Sequence, residues 1–310
     1  MRARRAPYDR RTMQERDYLP LIDMALAEDL GETGDVTTEP LEDYPAEARL
    51  LAKADGILAG LAVFAAVFTR IDPGVSVRLE RHDGEAVARG EIVAEVSGPL
   101  TSILKAERTS LNLLSYLSGI ATETRRFVQA ASGSLTVLDT RKTLPGYRAL
   151  AKEAVRIGGG RNHRMGLYDM VLIKDNHVDS AGSVSRAVRL VRERWGSRFP
   201  VEVECRTLPE VEEAAKSGVD IVMLDNMDAA LVRDAVKLVR GRARTEASGN
   251  MTIERVRELR ESGVDSVSVG RLTHSVEALD FSLKIRPRGP GDTGTRDPTD
   301  ESRTPGGKRA

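Results

Sequence analysis

From Leu135 onward the chain repeats one pattern. Short strand-like runs, LTVL, MVLI, VEVEC, IVML, RTEAS and SVSV, recur about 20 to 35 residues apart. Amphipathic segments lie between several of them: SVSRAVRLVRERW, TLPEVEEAAKSG, AALVRDAVKLVRG and TIERVRELRESG. Strand, helix, strand at that period predicts parallel βαβ units, closed into a barrel or laid open as a sheet. Every run ends in a polar residue or a glycine: Arg141 and Lys142, Lys174, Glu204, Asp225, Ser248 with Gly249, and Gly270. Barrel strands converge on one site at their carboxyl ends, whereas an open sheet gathers function near a single switch point. Functional groups after every strand therefore favour the barrel. The runs are fewer than a full barrel needs, which predicts an incomplete ring or a strand hidden near Gly119.

Upstream the pattern is mixed. A helix over LPLIDMALAEDL stops at Gly31, GDVTTEP reads as a loop, and VSVRLERHDGEAVARGEIVAEVSG reads as hairpins turning at Asp83-Gly84. Pro99–Ala131 is a long helical stretch with a break expected at Ser118-Gly119. Leu104, Leu111 and Leu114 share one face there, and Arg108 sits among them. An arginine on an apolar stripe must be paired or must reach an anion, because a lone buried charge is costly. Pro145–Ile157 reads as a helix with proline in its first turn, and Arg148, Lys152 and Arg156 as its solvated face. The ends, 1–17 and 286–310, are rich in charge, proline and glycine and read as disordered tails.

Composition then narrows the field. The chain has 310 residues with Lys+Arg 47 against Asp+Glu 47, an apparent pI near 7.0 and 4% aromatics, which gives no support for nucleic-acid binding. No apolar run reaches the roughly 18 residues of a membrane span, and no signal-peptide core is visible, so the cytosol is the expected compartment. A single cysteine, Cys205, rules out an intramolecular disulfide and is expected in the core. Gly158–Gly160 fits no dinucleotide fingerprint, and neither a Walker A sequence nor HExxH occurs.

Local charge departs from this neutral background. Between Arg141 and Lys174 there are eight basic residues against two acidic ones, Glu153 and Asp169. Arg141, Lys142, His163, Arg164 and Lys174 flank strands or a glycine run, so they read as the floor of a site for a polyanionic small molecule. Glu202 and Glu204 share one face of VEVEC. Glu204 and Asp225 close successive strands and suit Mg²⁺, which takes one or two carboxylates plus substrate oxygens. Ser248-Gly249-Asn250 and VGRLTHS, carrying Gly270 and His274, each lie between a strand and a helix, where backbone N–H groups meet phosphate. His177 reads as structural and His82 as exposed.

Eight motifs in chain order, AERTSLNLLSYLSGIAT, TRKTLPGYR, GGGRNHRMGLYD, IKDNH, VEVE, LDN, SGN and VGRLTHS, closely resemble the quinolinate phosphoribosyltransferase family, over about Asp17 to Ile285. The resemblance implies an incomplete, seven-stranded α/β barrel over 118–275. It also implies an N-terminal α/β sandwich domain over 18–117, completed by 276–285. The implied reaction joins quinolinate to phosphoribosyl pyrophosphate with Mg²⁺, giving nicotinate mononucleotide, pyrophosphate and CO₂. Arg108, Thr140, Arg141, His163, Arg164 and Lys174 would bind substrate, and Ser248, Gly249, Asn250, Gly270 and His274 its phosphoribosyl part. Lys142, Glu204 and Asp225 would act in catalysis, the two acids on the metal. A homodimer or higher assembly is implied, in which Arg108 reaches the neighbour's site. Arg271 departs from the small residue common in the family and adds charge near the phosphate. Two rivals keep parts of the pattern: a molybdenum-transport-associated relative, and a non-catalytic phosphoribosyl-binding protein. IKDNH and LDN resemble the quinolinate branch, and the acids at 204 and 225 speak for turnover.

Overall fold

A computed structural model describes residues 13–287; most of both expected tails, 1–12 and 288–310, lies outside the described residues. The inner edges of those tails are structured. Glu15–Asp17 forms a 3-10 turn that leads into α1 (Leu19–Leu30), and Arg286 pairs in register with Glu47.

The first half builds a four-stranded antiparallel sheet with helices. In order come β1 (Pro45–Ala52), β2 (Gly56–Ile57), α2 (Leu61–Ile71), β3 (Ser76–Leu79), β4 (Ala86–Val87), β5 (Ile92–Pro99) and α3 (Leu100–Ala131). Alternation along β1 buries Ala46, Ala48, Leu50 and Ala52 and leaves Pro45, Glu47 and Arg49 exposed, the signature of a sheet with one covered face. β3 and β5 form the expected hairpin, while β4 leaves it to pair with β2.

Helix α3 is continuous, contrary to the break expected at Ser118-Gly119. Both small residues serve packing instead. A Cβ on Gly119 would stand 2.3 Å from the Glu277 carbonyl oxygen, so glycine lets that segment lie against the helix. The Ser118 hydroxyl accepts the Ala59 N–H at 3.1 Å. The helix runs from the antiparallel sheet to the second half of the molecule and packs on both.

The second half follows the repeat read from the sequence: β6 (Thr136–Leu138), α4 (Arg148–Ile157), β7 (Val171–Ile173), α5 (Asp175–Ala181), α6 (Val184–Trp195), β8 (Val201–Cys205), α7 (Leu208–Lys216), β9 (Ile221–Asp225), α8 (Ala229–Val239), β10 (Arg244–Ser248), α9 (Ile253–Leu259), β11 (Ser266–Ser268) and α10 (Arg271–His274). All six strands are parallel, in the order β6-β11-β10-β9-β8-β7. At the free edge of β6, Arg161 bridges Leu138 in parallel, a seventh position one residue long. The architecture is an incomplete α/β barrel beside an antiparallel-sheet unit. The last strand, β12 (Phe281–Pro287), returns to that first sheet and pairs with β1. Helix α4 begins three residues later than expected, because Leu144–Tyr147 closes as a turn first. Cys205 is buried and free, as expected. Among the described residues no helix is long and apolar enough to cross a membrane.

Candidate active site

The carboxyl ends of the six strands open into one cavity of about 980 Å³. It is lined by Thr140, Arg141, Lys142, His163, Arg164, Lys174, Glu204, Asp225, Ser248, Gly249, Asn250, Gly270 and His274. Arg108 alone of the expected site residues is elsewhere. It is exposed on α3 and makes no hydrogen bond or ion pair among the described residues.

Parallel register explains the convergence. Ser248 stands beside Asp225 and Glu204 beside Met223, so successive strand ends reach the rim at nearly one level. Lys174 Nζ donates to Glu204 Oε2 at 2.5 Å, which joins one expected substrate cation to one expected metal ligand. Asp225 accepts from the Asn226 side chain at 2.8 Å. Gly249 is left-handed at φ 96°, and a Cβ there would fall 2.1 Å from Asn226 Oδ1, so only glycine lets this loop cross the strand end. Gly270 lies against the Lys142 stem and the His274 ring. His274 Nδ1 is 2.7 Å from Ser275 Oγ. His177 is structural: its Nδ1 accepts the Lys174 N–H at 2.9 Å, starting α5.

The cationic side is Arg141 and Arg164. Arg141 Nε is buried without a hydrogen-bond partner among the described residues, a donor that an anion would satisfy. Burial, then the like charge of Arg141, holds the Arg164 guanidinium below its usual range. Arg164 Nη1 donates to the Met170 carbonyl at 3.2 Å. Arg271 also lines the cavity, and its Nε lies 3.4 Å from Glu123.

Beneath this rim is a buried polar layer that the sequence reading missed in part. Lys152, expected on a solvated helix face with Arg148 and Arg156, is 1% exposed and bonded to buried Asp139. Only Arg156 of the three is exposed. Every fourth position of a helix shares a stripe, and here that stripe turns toward the end of β6. Lys152 also donates to the His163 carbonyl at 3.0 Å, while Asp139 accepts the His163 N–H and the Asn162 amide, both at 2.8 Å. Burial pulls Lys152 down and Asp139 up, each opposed by the partner's charge.

His163 was expected among the cations. Its Nδ1 accepts the Arg164 N–H at 2.7 Å, so that nitrogen carries no proton, and burial lowers the ring's basicity further. The imidazole is neutral. Its Nε2 lies 2.9 Å from Glu202 Oε2 and 3.7 Å from Glu246 Oε1. Both glutamates are fully buried, and burial pushes each up to about 8. Glu202 carried a signal, the alternation of VEVE; Asn226 carried one in LDN, where its left-handed φ of 55° suits asparagine.

Known proteins resemble this chain in sequence and fold. The profile of the quinolinate phosphoribosyl transferase C-terminal domain matches residues 120–284, and that of its N-terminal domain matches 35–118. The chloroplastic nicotinate-nucleotide pyrophosphorylase [carboxylating] of Arabidopsis thaliana is 48% identical over 290 residues, 87% of this chain and 83% of that protein. A probable nicotinate-nucleotide pyrophosphorylase [carboxylating] of Bacillus subtilis (strain 168) is 42% identical over 267 residues, 86% of this chain and 92% of that protein. The crystal structure of NadC from Streptococcus pyogenes superposes with a TM-score of 0.86 at 40% identity, covering 89% of this chain and 99% of that one.

Proposed function

The chain belongs to the quinolinate phosphoribosyltransferase family, and on that premise we propose how its site divides the work. It is a pentosyltransferase that moves the phosphoribosyl group of phosphoribosyl pyrophosphate onto quinolinate, releasing pyrophosphate and CO₂. Its product, nicotinate mononucleotide, belongs to de novo NAD biosynthesis.

Arg141 and Arg164 take the carboxylates of quinolinate, because a guanidinium fork matches a carboxylate bidentately. Lys174 and Thr140 close the same side, and neutral His163 forms the floor under the ring. Ser248, Gly249, Asn250, Gly270 and His274 hold the 5′-phosphate, and Lys142 the pyrophosphate. As pyrophosphate departs, positive charge grows at ribose C1 and the pyridine nitrogen attacks it; Glu204 and Asp225 stabilise that charge. The ring, now cationic, then loses its 2-carboxylate as CO₂; the electron pair left on C2, stabilised by the adjacent ring nitrogen, takes a proton from solvent. The donor set also fits Mg²⁺: two carboxylates on adjacent strand ends, one held by a lysine that a dianionic substrate can draw away. Glu204 and Asp225 would hold Mg²⁺, which when bound would supply positive charge for the leaving pyrophosphate.

The observation that carries this division is the buried Arg141 Nε, without a hydrogen-bond partner among the described residues, beside Arg164 in one cavity with Glu204 and Asp225. Incubation with quinolinate, phosphoribosyl pyrophosphate and Mg²⁺ tests it. Nicotinate mononucleotide and CO₂ are expected; no product, or equal turnover with nicotinate, overturns it. A homodimer in the cytosol completes the reading. Arg108, solvent-facing and outside its own subunit's cavity, is the group that enters the neighbour's site.

A further inference from the structure

Glu202 and Glu246 have no part in the chemistry assigned above, yet they fill the barrel directly under it. Their carboxyl oxygens lack a well-aligned hydrogen bond among the described residues, Ser268 giving Glu246 only a weak one. The ligand atoms of His163, Glu202 and Glu246 lie within 4.8 Å of one another, a spacing that suits a metal ion. The histidine decides against that use. Metal binding through Nε2 needs that nitrogen's lone pair, which puts the ring proton on Nδ1. Nδ1 is already the acceptor of the Arg164 N–H, so the proton is on Nε2, turned toward the acids. The trio is a donor facing two acceptors.

We infer that Glu202 and Glu246 are positioning residues for quinolinate: they hold the His163 ring, whose Nδ1 fixes the Arg164 backbone and so aims its guanidinium beside Arg141. The inference rests on the proposed assignment of quinolinate to these two arginines. The rest of the loop is pinned independently. Asp139 and Lys152 hold the His163 backbone from one side, and Met170 holds the Arg164 side chain from the other. The ring links the buried acids to the Arg164 backbone, and Glu202 also attracts the Arg164 guanidinium, so their loss should loosen the quinolinate contact before it disturbs the phosphate loops.

Paired substitutions test this. Glu202→Leu removes the acceptor, and KM for quinolinate is expected to rise about tenfold, the usual cost of stranding a buried donor. Glu202→Gln keeps a carbonyl acceptor and should restore that KM to within about twofold, with kcat and the KM for phosphoribosyl pyrophosphate little changed in either variant. Glu246→Leu should follow with a smaller rise, as its longer distance to the ring requires. Equal rises in both KM values, no rise, or no rescue by glutamine overturn the inference. Wild-type protein labelled with ¹⁵N-histidine gives a second readout that survives a misfolded variant, since the sequence has only four histidines. Near pH 7 His163 should show protonated Nε2 and bare Nδ1, unmoved by Mn²⁺ or Zn²⁺. A protonated Nδ1, an imidazolium or a metal-bound signal overturns the inference. Inactivity toward quinolinate with the expected tautomer would instead reject the proposed function, so the two failures are distinguishable.

Discussion

Two lysine–carboxylate pairs lie within the barrel, one at the cavity rim and one below its floor. At the rim, Lys174 is 47% exposed and Glu204 11%; below, Lys152 and Asp139 are 2% and 0%. The charges are the same and the consequences opposite. An exposed pair contributes little to stability and separates readily, so its charges stay available to a ligand. A buried pair adds little over an apolar substitute, but it tolerates no loss of one partner, because the other charge is then stranded. The same division runs along β8. Glu204 opens to the cavity, while Glu202, two residues earlier on the same face, is sealed beneath it. Depth within the strand sorts chemistry from scaffolding.

Breaking the pairs separately gives the largest expected contrast. Lys152→Ala strands Asp139 and should cost about 3–5 kcal/mol of stability. Lys174→Ala should cost at most about 1 kcal/mol and act on turnover instead. Urea denaturation with a parallel activity assay checks both; similar stability losses would erase the distinction. Next in size is Arg141→Ala. It should weaken quinolinate binding more than tenfold, by about 1.5–3 kcal/mol, with the fold unaffected. Calorimetry that finds unchanged affinity would remove Arg141 from the site.

The rim was legible in the sequence for a physical reason. Each strand is short and ends abruptly in a polar residue or a glycine, so Lys174, Glu204, Asp225 and Ser248 announce one level of one face. The layer beneath was less legible. Lys152 has the spacing of a surface charge, and only the docking of α4 on the end of β6 buries it. Glu246 lies in RTEAS, whose polar residues conceal that its middle positions are buried. The Arg161 bridge is too short to leave an apolar run. Gly119 signals a break in most helices; here it marks close approach by a chain segment over a hundred residues away, which no local pattern encodes.

Arg108 extends the comparison to a charge that lies outside both layers. In the proposed dimer, Arg108→Ala and Arg141→Ala damage the same site from different subunits. Mixed and re-associated, two inactive variants should regain about a quarter of wild-type activity, since half the dimers are hybrids and each carries one intact site. Purified mixtures that stay inactive after exchange, with hybrids verified by mass, would place Arg108 outside the neighbour's site.

The last contrast concerns pH. Glu246 faces Glu202, His163, Ser268 and Arg244, and burial raises it to about 8, with Glu202 adding to the rise and Ser268 and Arg244 opposing it. An acid held protonated by the fold favours the folded state fully at pH values below its unfolded value, ordinarily near 4.5. That contribution is lost as pH rises through about 8, where the folded protein must give up the proton that the unfolded chain lost earlier. Stability measured by denaturation should therefore decline between about pH 4.5 and 8 and level off above that, and Glu246→Gln, which has no proton to lose, should flatten the decline. An unchanged slope in that variant would mean that Glu246 does not carry the burden, and that the layer under the site is more hydrated than its burial implies.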